Sequence, residues 1–236
     1  YTAWSIRGVR VAESPAWLKR ALESIGLRPI NNVVDLTNYV LWETGQPLHA
    51  FDARKIAGHR LVVRETVGRE NITTLDGKAR CLPEGTMVIA DAEKPLCIAG
   101  VMGSADAEVD FDTTDVVLES AWFGPGKVRE ATRALNLFSD SSHRFTRNVD
   151  PDGVRVWGAR AAGLIVQLAG GDVVGEVQEV GDAPRGARTI AITAAFVSRV
   201  LGFPVSLDAM EDAYRRLGFS LSREGETLHV TVPSFR

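Results

Sequence analysis

The sequence has 236 residues, with 27 Lys and Arg against 30 Asp and Glu, a net charge of −3 and a pI near 5.9. That balance argues against a sequence-reading DNA-binder, which carries a basic excess, while leaving room for an RNA partner held mainly elsewhere. No apolar run approaches the ~18 residues of a membrane span and no basic-then-apolar leader opens the chain, so a cytoplasmic protein without a membrane partner is expected.

In chain order, Ser14-Pro15 followed by Trp17, Leu18, Leu22 and Ile25 predicts a helix stopped at Gly26. A second helix is expected from Asn32 to Thr44, ending at Gly45. Its apolar residues surround the axis, Trp42 included, which predicts burial on most sides. Between about Arg60 and Phe123 the pattern shortens to strands, clearest at Leu61–Arg64, Met87–Ala90 and Val116–Glu119, with Asp76-Gly77 as a hairpin turn. Helical periodicity returns over 126–137 and 151–169, and a strand is expected near 173–180. The stretch 181–188, rich in Gly, Pro and charge, reads as a linker. Beyond it a strand, two helices and a hairpin are expected, with Leu207, Met210, Tyr214 and Leu217 inward on the second helix. Tyr1 in place of a start Met, and an end at Pro233–Arg236 after a strand-like run, read as a piece of a longer chain.

The chemistry-bearing residues fit no general motif. Gly100-Val101-Met102-Gly103-Ser104 lacks the Lys of a phosphate-binding loop. The four histidines and two cysteines fall without metal-ligand spacing, so no metal is expected in this fragment. Cys81 and Cys97 stand in apolar company and read as buried, unpaired thiols.

The stretch Arg28-Pro29-Ile30-Asn31-Asn32-Val33-Val34-Asp35-Leu36-Thr37-Asn38-Tyr39-Val40, continuing through Glu43–Asp52, resembles the editing module of bacterial phenylalanyl-tRNA synthetase beta subunits. Three further blocks agree in order: Gly100–Ser104, Val117–Phe123, and Ser139–Phe145 running into Val149-Asp150-Pro151. Residues from about 189 onward resemble the small domain that follows that module. The resemblance implies an α+β editing domain over residues 1–183, with a β-sandwich-like core and flanking helices. A small, partly truncated α+β domain over 188–236 follows.

The implied reaction is hydrolysis of Tyr mischarged onto tRNA(Phe). An apolar synthetic pocket rejects an added hydroxyl weakly, so a second site that hydrogen-bonds the phenol is needed. The resemblance assigns recognition of that phenol to Glu119, with a salt-bridged rim residue as the plainer reading. Gly103 is implied as a pocket wall, or simply a turn glycine. His49 and Arg28 match residues at the entrance near the acyl ester and terminal adenosine, His49 orienting the attacking water; otherwise His49 is structural. Ser139 and Ser141 match lining positions, and a helix cap in this run is compatible with that. The cations Lys127, Arg129, Arg133, Arg144 and Arg147 read either as a flank for the tRNA acceptor end or as a solvated helix face. For the intact enzyme the resemblance implies an α2β2 assembly with an alpha subunit that carries the synthetic centre and uses ATP and Mg2+. Two alternatives remain: a non-editing scaffold that positions tRNA and subunits, or an accessory tRNA-binding domain of another RNA enzyme.

Overall fold

The computed structural model describes residues 1–182 and 188–236. Its first elements are β1 (Thr2–Arg7), α1 (Ala16–Ser24), α2 (Asn32–Thr44) and β2 (Leu48–Asp52). Short strands follow: β3 (Val62–Glu65), β4 (Glu70–Thr73), β5 (Ala79–Leu82), β6 (Met87–Ala90), β7 (Pro95–Ile98), β8 (Met102–Gly103) and β9 (Asp115–Ser120). Then come α3 (Pro125–Leu135), α4 (Asp140–Phe145), α5 (Gly153–Ala169) and β10 (Asp172–Glu179). The last elements are β11 (Arg188–Thr193), α6 (Ala194–Leu201), α7 (Leu207–Arg216), β12 (Ser220–Glu224) and β13 (Thr227–Val232). Of the expected linker, residues 183–187 lie outside the described residues.

One antiparallel sheet has the order β10-β1-β9-β2, a second the order β3-β6-β7-β8, and β4-β5 forms a separate hairpin closed through Asp76-Gly77. Strand alternation gives the first sheet two different faces. Trp4 and Ile6 of β1, Ala50 of β2, and Val116 and Leu118 of β9 join Leu18, Leu36, Val40 and Ile165 of the helices in one core. Phe51 of β2 points the other way, with Val117 of β9 packed alongside, into a core shared with Val88, Ile89, Leu96 and Ile98 of the second sheet. The architecture is therefore α+β: sandwich-like antiparallel sheets flanked by helices, followed by a smaller mixed unit. Helix α5 comes close enough to β1 that a Cβ at Gly158 would overlap the Trp4 ring.

The most family-like stretch is largely absorbed by this scaffold. The Asn31 side chain caps α2, accepting from the Val33 and Val34 amides. Asn32 ties the α2 start to the Arg10 carbonyl and the Ala12 amide. Asp35 is fully buried and accepts from the Ser14 hydroxyl at 2.5 Å and the Ile30 amide at 2.8 Å.

Several expectations are corrected. Trp42 is 43% exposed, so α2 is open on that side. Cys81 is exposed, because it lies on the outward face of the hairpin strand β5; Cys97 is buried, and both thiols are free. Helix α3 ends at Leu135, where Asn136 turns left-handed at φ 45°.

Contacts divide the chain into one unit of residues 1–149 with 153–181 and another of 150–152 with 182–236. The second unit holds the sheet β11-β13-β12, with Leu207, Met210, Leu228 and Val230 as its small core. Tyr214 is partly buried against that core, whereas Leu217 is exposed because it falls past the end of α7, at the cap.

Candidate functional site

Antiparallel pairing sets His49 of β2 directly opposite Glu119 of β9, and Glu119 opposite Ala3 of β1. The alternation that sends Leu118 toward the helices sends Glu119 toward the second sheet, and likewise His49 beside Phe51. Facing them, Cys97 of β7 pairs with Gly103 of β8. These residues, with Ser141 and Phe145 of α4, line a pocket of about 40 Å3.

Gly103 packs directly against His49 across the two sheets. A Cβ there would sit 2.5 Å from His49 Cε1 and 2.7 Å from Nε2, so only glycine lets the imidazole pack against this wall. The His49 ring also meets Phe51 edge to face, with centroids 4.5 Å apart. Its Nε2 is buried and has no hydrogen-bond partner, and the buried Ser104 hydroxyl beside this wall has none either.

Burial dominates the electrostatics. Glu119 is 6% exposed, and loss of solvation pushes its carboxyl up to about 8. Loss of solvation also lowers His49 to about 4. Between those values both groups are uncharged, so the pocket presents hydrogen-bonding atoms without net charge. The Tyr1 hydroxyl donates to Glu119 Oε2 at 3.3 Å. Burial, then the neighbouring Glu119, pushes this phenol well above its ordinary range and keeps it a donor. Burial pushes the Cys97 thiol up as well, which leaves it unreactive.

Four of the expected site residues, His49, Gly103, Glu119 and Ser141, come together here. Ser139 is not among the lining residues; its hydroxyl donates to the Val101 carbonyl at 2.6 Å and accepts from the Ser142 amide as the cap of α4. Arg28 is exposed in the connection between α1 and α2 and does not line the pocket. Tyr1 escaped the sequence reading because nothing local marks it: its importance comes from β1 lying beside β9.

Among the described residues no group of three or more His, Cys, Asp or Glu is arranged to hold a metal, and no helix is long and apolar enough to cross a membrane. The size of the pocket is also informative. About 40 Å3 admits a water, whereas a benzene ring occupies cavities of about 150 Å3. A phenol therefore enters only if β8, α4 or the His49 ring gives way.

The site is thus a buried His–Glu pair between two sheets, walled by a glycine on one side and a short helix on the other. The family model of the B3/4 domain matches residues 1–170, and the chain belongs to that family. The model of the tRNA synthetase B5 domain matches residues 190–236. Along its whole length the chain is similar to phenylalanine-tRNA ligase beta subunits. It is 49% identical to that of Salinibacter ruber, 45% to that of Halalkalibacterium halodurans and 44% to that of Bacillus subtilis. All of this chain is covered in each case, but only 28%, 29% and 29% of those proteins, so it spans under a third of their length. A solved N-terminal fragment of the phenylalanyl-tRNA synthetase beta-subunit from Pyrococcus horikoshii is 12% identical with a TM-score of 0.42, covering 100% of this chain and 65% of that one.

Proposed function

We propose that the first unit is the hydrolytic editing module of a phenylalanine-tRNA ligase beta subunit, removing Tyr mischarged onto tRNA(Phe). The observation that carries this reading is the cross-strand pair of His49 and Glu119 in a buried, uncharged pocket, with His49 Nε2 unpaired. Glu119 hydrogen-bonds the phenol hydroxyl of the substrate; Tyr1 already donates to its Oε2, which leaves Oε1, the protonated oxygen of the neutral acid, to donate to the phenol oxygen. Phe offers no such partner and would strand a buried polar group, a penalty of ~1–3 kcal/mol.

His49 orients the attacking water through Nε2. With its pKa lowered by burial to about 4, the imidazole is a weak base and does not carry the proton alone. The water oxygen adds to the ester carbonyl carbon, the bond to the ribose oxygen breaks, and that oxygen takes up a proton. Tyrosine and free tRNA leave.

In the intact protein this unit works beside an alpha subunit in an α2β2 ligase, in the cytoplasm, supporting the fidelity of Phe-tRNA synthesis. ATP and Mg2+ belong to that ligase reaction, and the residues here do not fit them. The Gly100–Ser104 turn commits its Val101 and Ser104 amides to the Ile98 and Leu96 carbonyls, and among the described residues no group of three or more His, Cys, Asp or Glu is arranged to hold a metal ion.

The small pocket favours one rival, a scaffold that positions tRNA while its pocket stays closed. Single-turnover deacylation of Tyr-tRNA(Phe) and Phe-tRNA(Phe) separates the two. We expect Tyr to be released faster than Phe, and Glu119→Ala to slow Tyr release by roughly one to two orders of magnitude, with Phe release little changed. Tyr release by Glu119→Ala at the wild-type rate would sink the recognition mechanism. No release by the wild type, with tRNA still bound, would establish the scaffold.

A further inference from the structure

Glu119 is flanked unequally within its sheet. On the β2 side His49 stands directly opposite it; on the β1 side the opposite residue is Ala3, whose methyl group makes no hydrogen bond. The group that reaches Glu119 from β1 comes from the diagonal position, where the Tyr1 hydroxyl donates to Oε2 at 3.3 Å. We propose that Tyr1 is a positioning residue that sets the specificity of this pocket: by holding Oε2 as an acceptor it keeps the carboxyl proton on Oε1, so that Glu119 selects a ring whose para substituent accepts a hydrogen bond. This rests on the hydrolytic reading above, in which the ligand is the side chain of a mischarged Tyr.

Tyr1 is held for that role from both ends. Its backbone nitrogen donates to the Val180 carbonyl and its carbonyl accepts from the Val180 amide, each at 3.0 Å, which carries the β1–β10 pairing one residue further. Its ring packs against the core shared by the two sheets. Burial, then Glu119, pushes the phenol well above its ordinary range, so it stays a donor. Among the described residues Glu119 is the one acceptor this hydroxyl meets. Tyr1 does not line the pocket and therefore takes none of the ligand's space. The other ionisable groups facing Glu119 are the amino terminus on β1, His49 on β2 and Cys97 on β7, and none of them donates to it.

The carbonyl oxygen of a carboxylic acid is a better acceptor than its hydroxyl oxygen, so a fixed donor at Oε2 favours the form with the proton on Oε1. This gives the site a direction. A phenol oxygen accepts readily, whereas an aromatic amine of the same size donates and accepts poorly. Tyr therefore keeps its bond to Oε1, and p-aminophenylalanine faces donor against donor. With Phe at position 1 the proton is free to move to Oε2, Oε1 becomes an acceptor, and the amine is accommodated. A phenol, able to donate or accept, fits either form.

The test is single-turnover deacylation of tRNA(Phe) carrying Tyr, p-aminophenylalanine or Phe. Every protein carries a short extension ahead of residue 1, so that no terminal ammonium acts on Glu119. The wild type should release Tyr about tenfold faster than the amine. Tyr1→Phe should slow Tyr release by about fivefold and bring the two rates within about twofold, whereas a merely structural Tyr1 would slow both in proportion. Glu119→Gln guards against misfolding of Tyr1→Phe: its carbonyl takes the Tyr1 hydroxyl, its amide nitrogen faces the ligand, and the preference for Tyr should persist. An unchanged ratio in Tyr1→Phe, or a preference for the amine in Glu119→Gln, overturns the proposal. Denaturant unfolding reads the same contact without hydrolysis. The Tyr1 bond favours the charged carboxyl, so its loss raises Glu119 further above about 8 and should move the alkaline decline in stability to higher pH. In a Glu119→Gln background Tyr1→Phe should move nothing; a decline that stays in place in Tyr1→Phe alone also overturns the proposal. A wild type that releases no Tyr, with that decline still moved by Tyr1→Phe, would refute the editing reading and leave Tyr1 as the residue that positions Glu119.

Discussion

The two recesses that share α4 differ in nearly every physical respect. The pocket between the sheets is small, and its His49 and Glu119 are held neutral by loss of solvation. The groove on the outer face is wide, open and lined by four arginines, Arg129, Arg133, Arg144 and Arg147. Discrimination of one hydroxyl needs the first environment, where an unmade hydrogen bond is expensive; gripping a polyanion needs the second, where long-range charge acts before contact. A helix of six residues suffices to keep them apart, because its inward side chains complete one wall and its outward ones the other.

The contrast is sharpest in its response to pH. The folded-state pKa of Glu119, about 8, lies above its ordinary value of 4.5, so the stability gained by burying it neutral is complete below about 4.5 and is lost as pH rises toward 8. Glu119→Gln removes that slope. In denaturant unfolding it should exceed the wild type by roughly 4 kcal/mol near pH 8 and match it at acid pH. A parallel loss of stability in both proteins on the alkaline side would show that the carboxyl is solvated and that the pocket resembles the groove.

His49 should act on the opposite limb. Its folded-state pKa, about 4, lies below the ordinary 6.5, so stability is complete above 6.5 and declines as the unfolded chain gains the proton that the folded site refuses. His49→Gln should flatten the acid limb, which in the wild type should amount to roughly 3 kcal/mol by pH 4. An acid limb of unchanged depth would mean that His49 protonates freely.

The smallest effect belongs to the groove. Arg133→Ala removes an exposed cation without a protein partner, and its unfolding free energy should stay within about 0.5 kcal/mol of the wild type at every pH. A larger change would show that the groove arginines are part of the fold, not of a binding surface.

Sequence alone revealed the two recesses unequally. The elements were legible wherever the apolar pattern was strong: α1 shows the stripe that one-sided burial imposes, while α2 and the strand β6 show the denser apolar runs of elements buried on more than one side. Glu119 stood out as a carboxyl at the end of an apolar run. Its pairing with His49 could not be read, since register between strands some seventy residues apart depends on the whole sheet. Arg28 and Ser139 fall at positions the resemblance placed near the site yet lie outside the pocket lining, where the Ser139 hydroxyl is engaged in the α4 cap and with the Val101 carbonyl. The groove was half visible: five cations lay close in sequence, but nothing there removes Lys127 to Glu65 or brings in Trp42 from α2.

The pairing of β2 with β9 has a consequence for how this site can change over generations. Side-chain direction alternates strictly along a strand, so deleting or inserting a single residue ahead of Leu48 would turn both His49 and Phe51 toward the helices and bring Leu48 or Ala50 round to face Gly103. Glu119 would remain in place, opposite an apolar side chain. The connection between Thr44 and Leu48 is therefore closed to length variation even though its end at Gly45 is open to solvent.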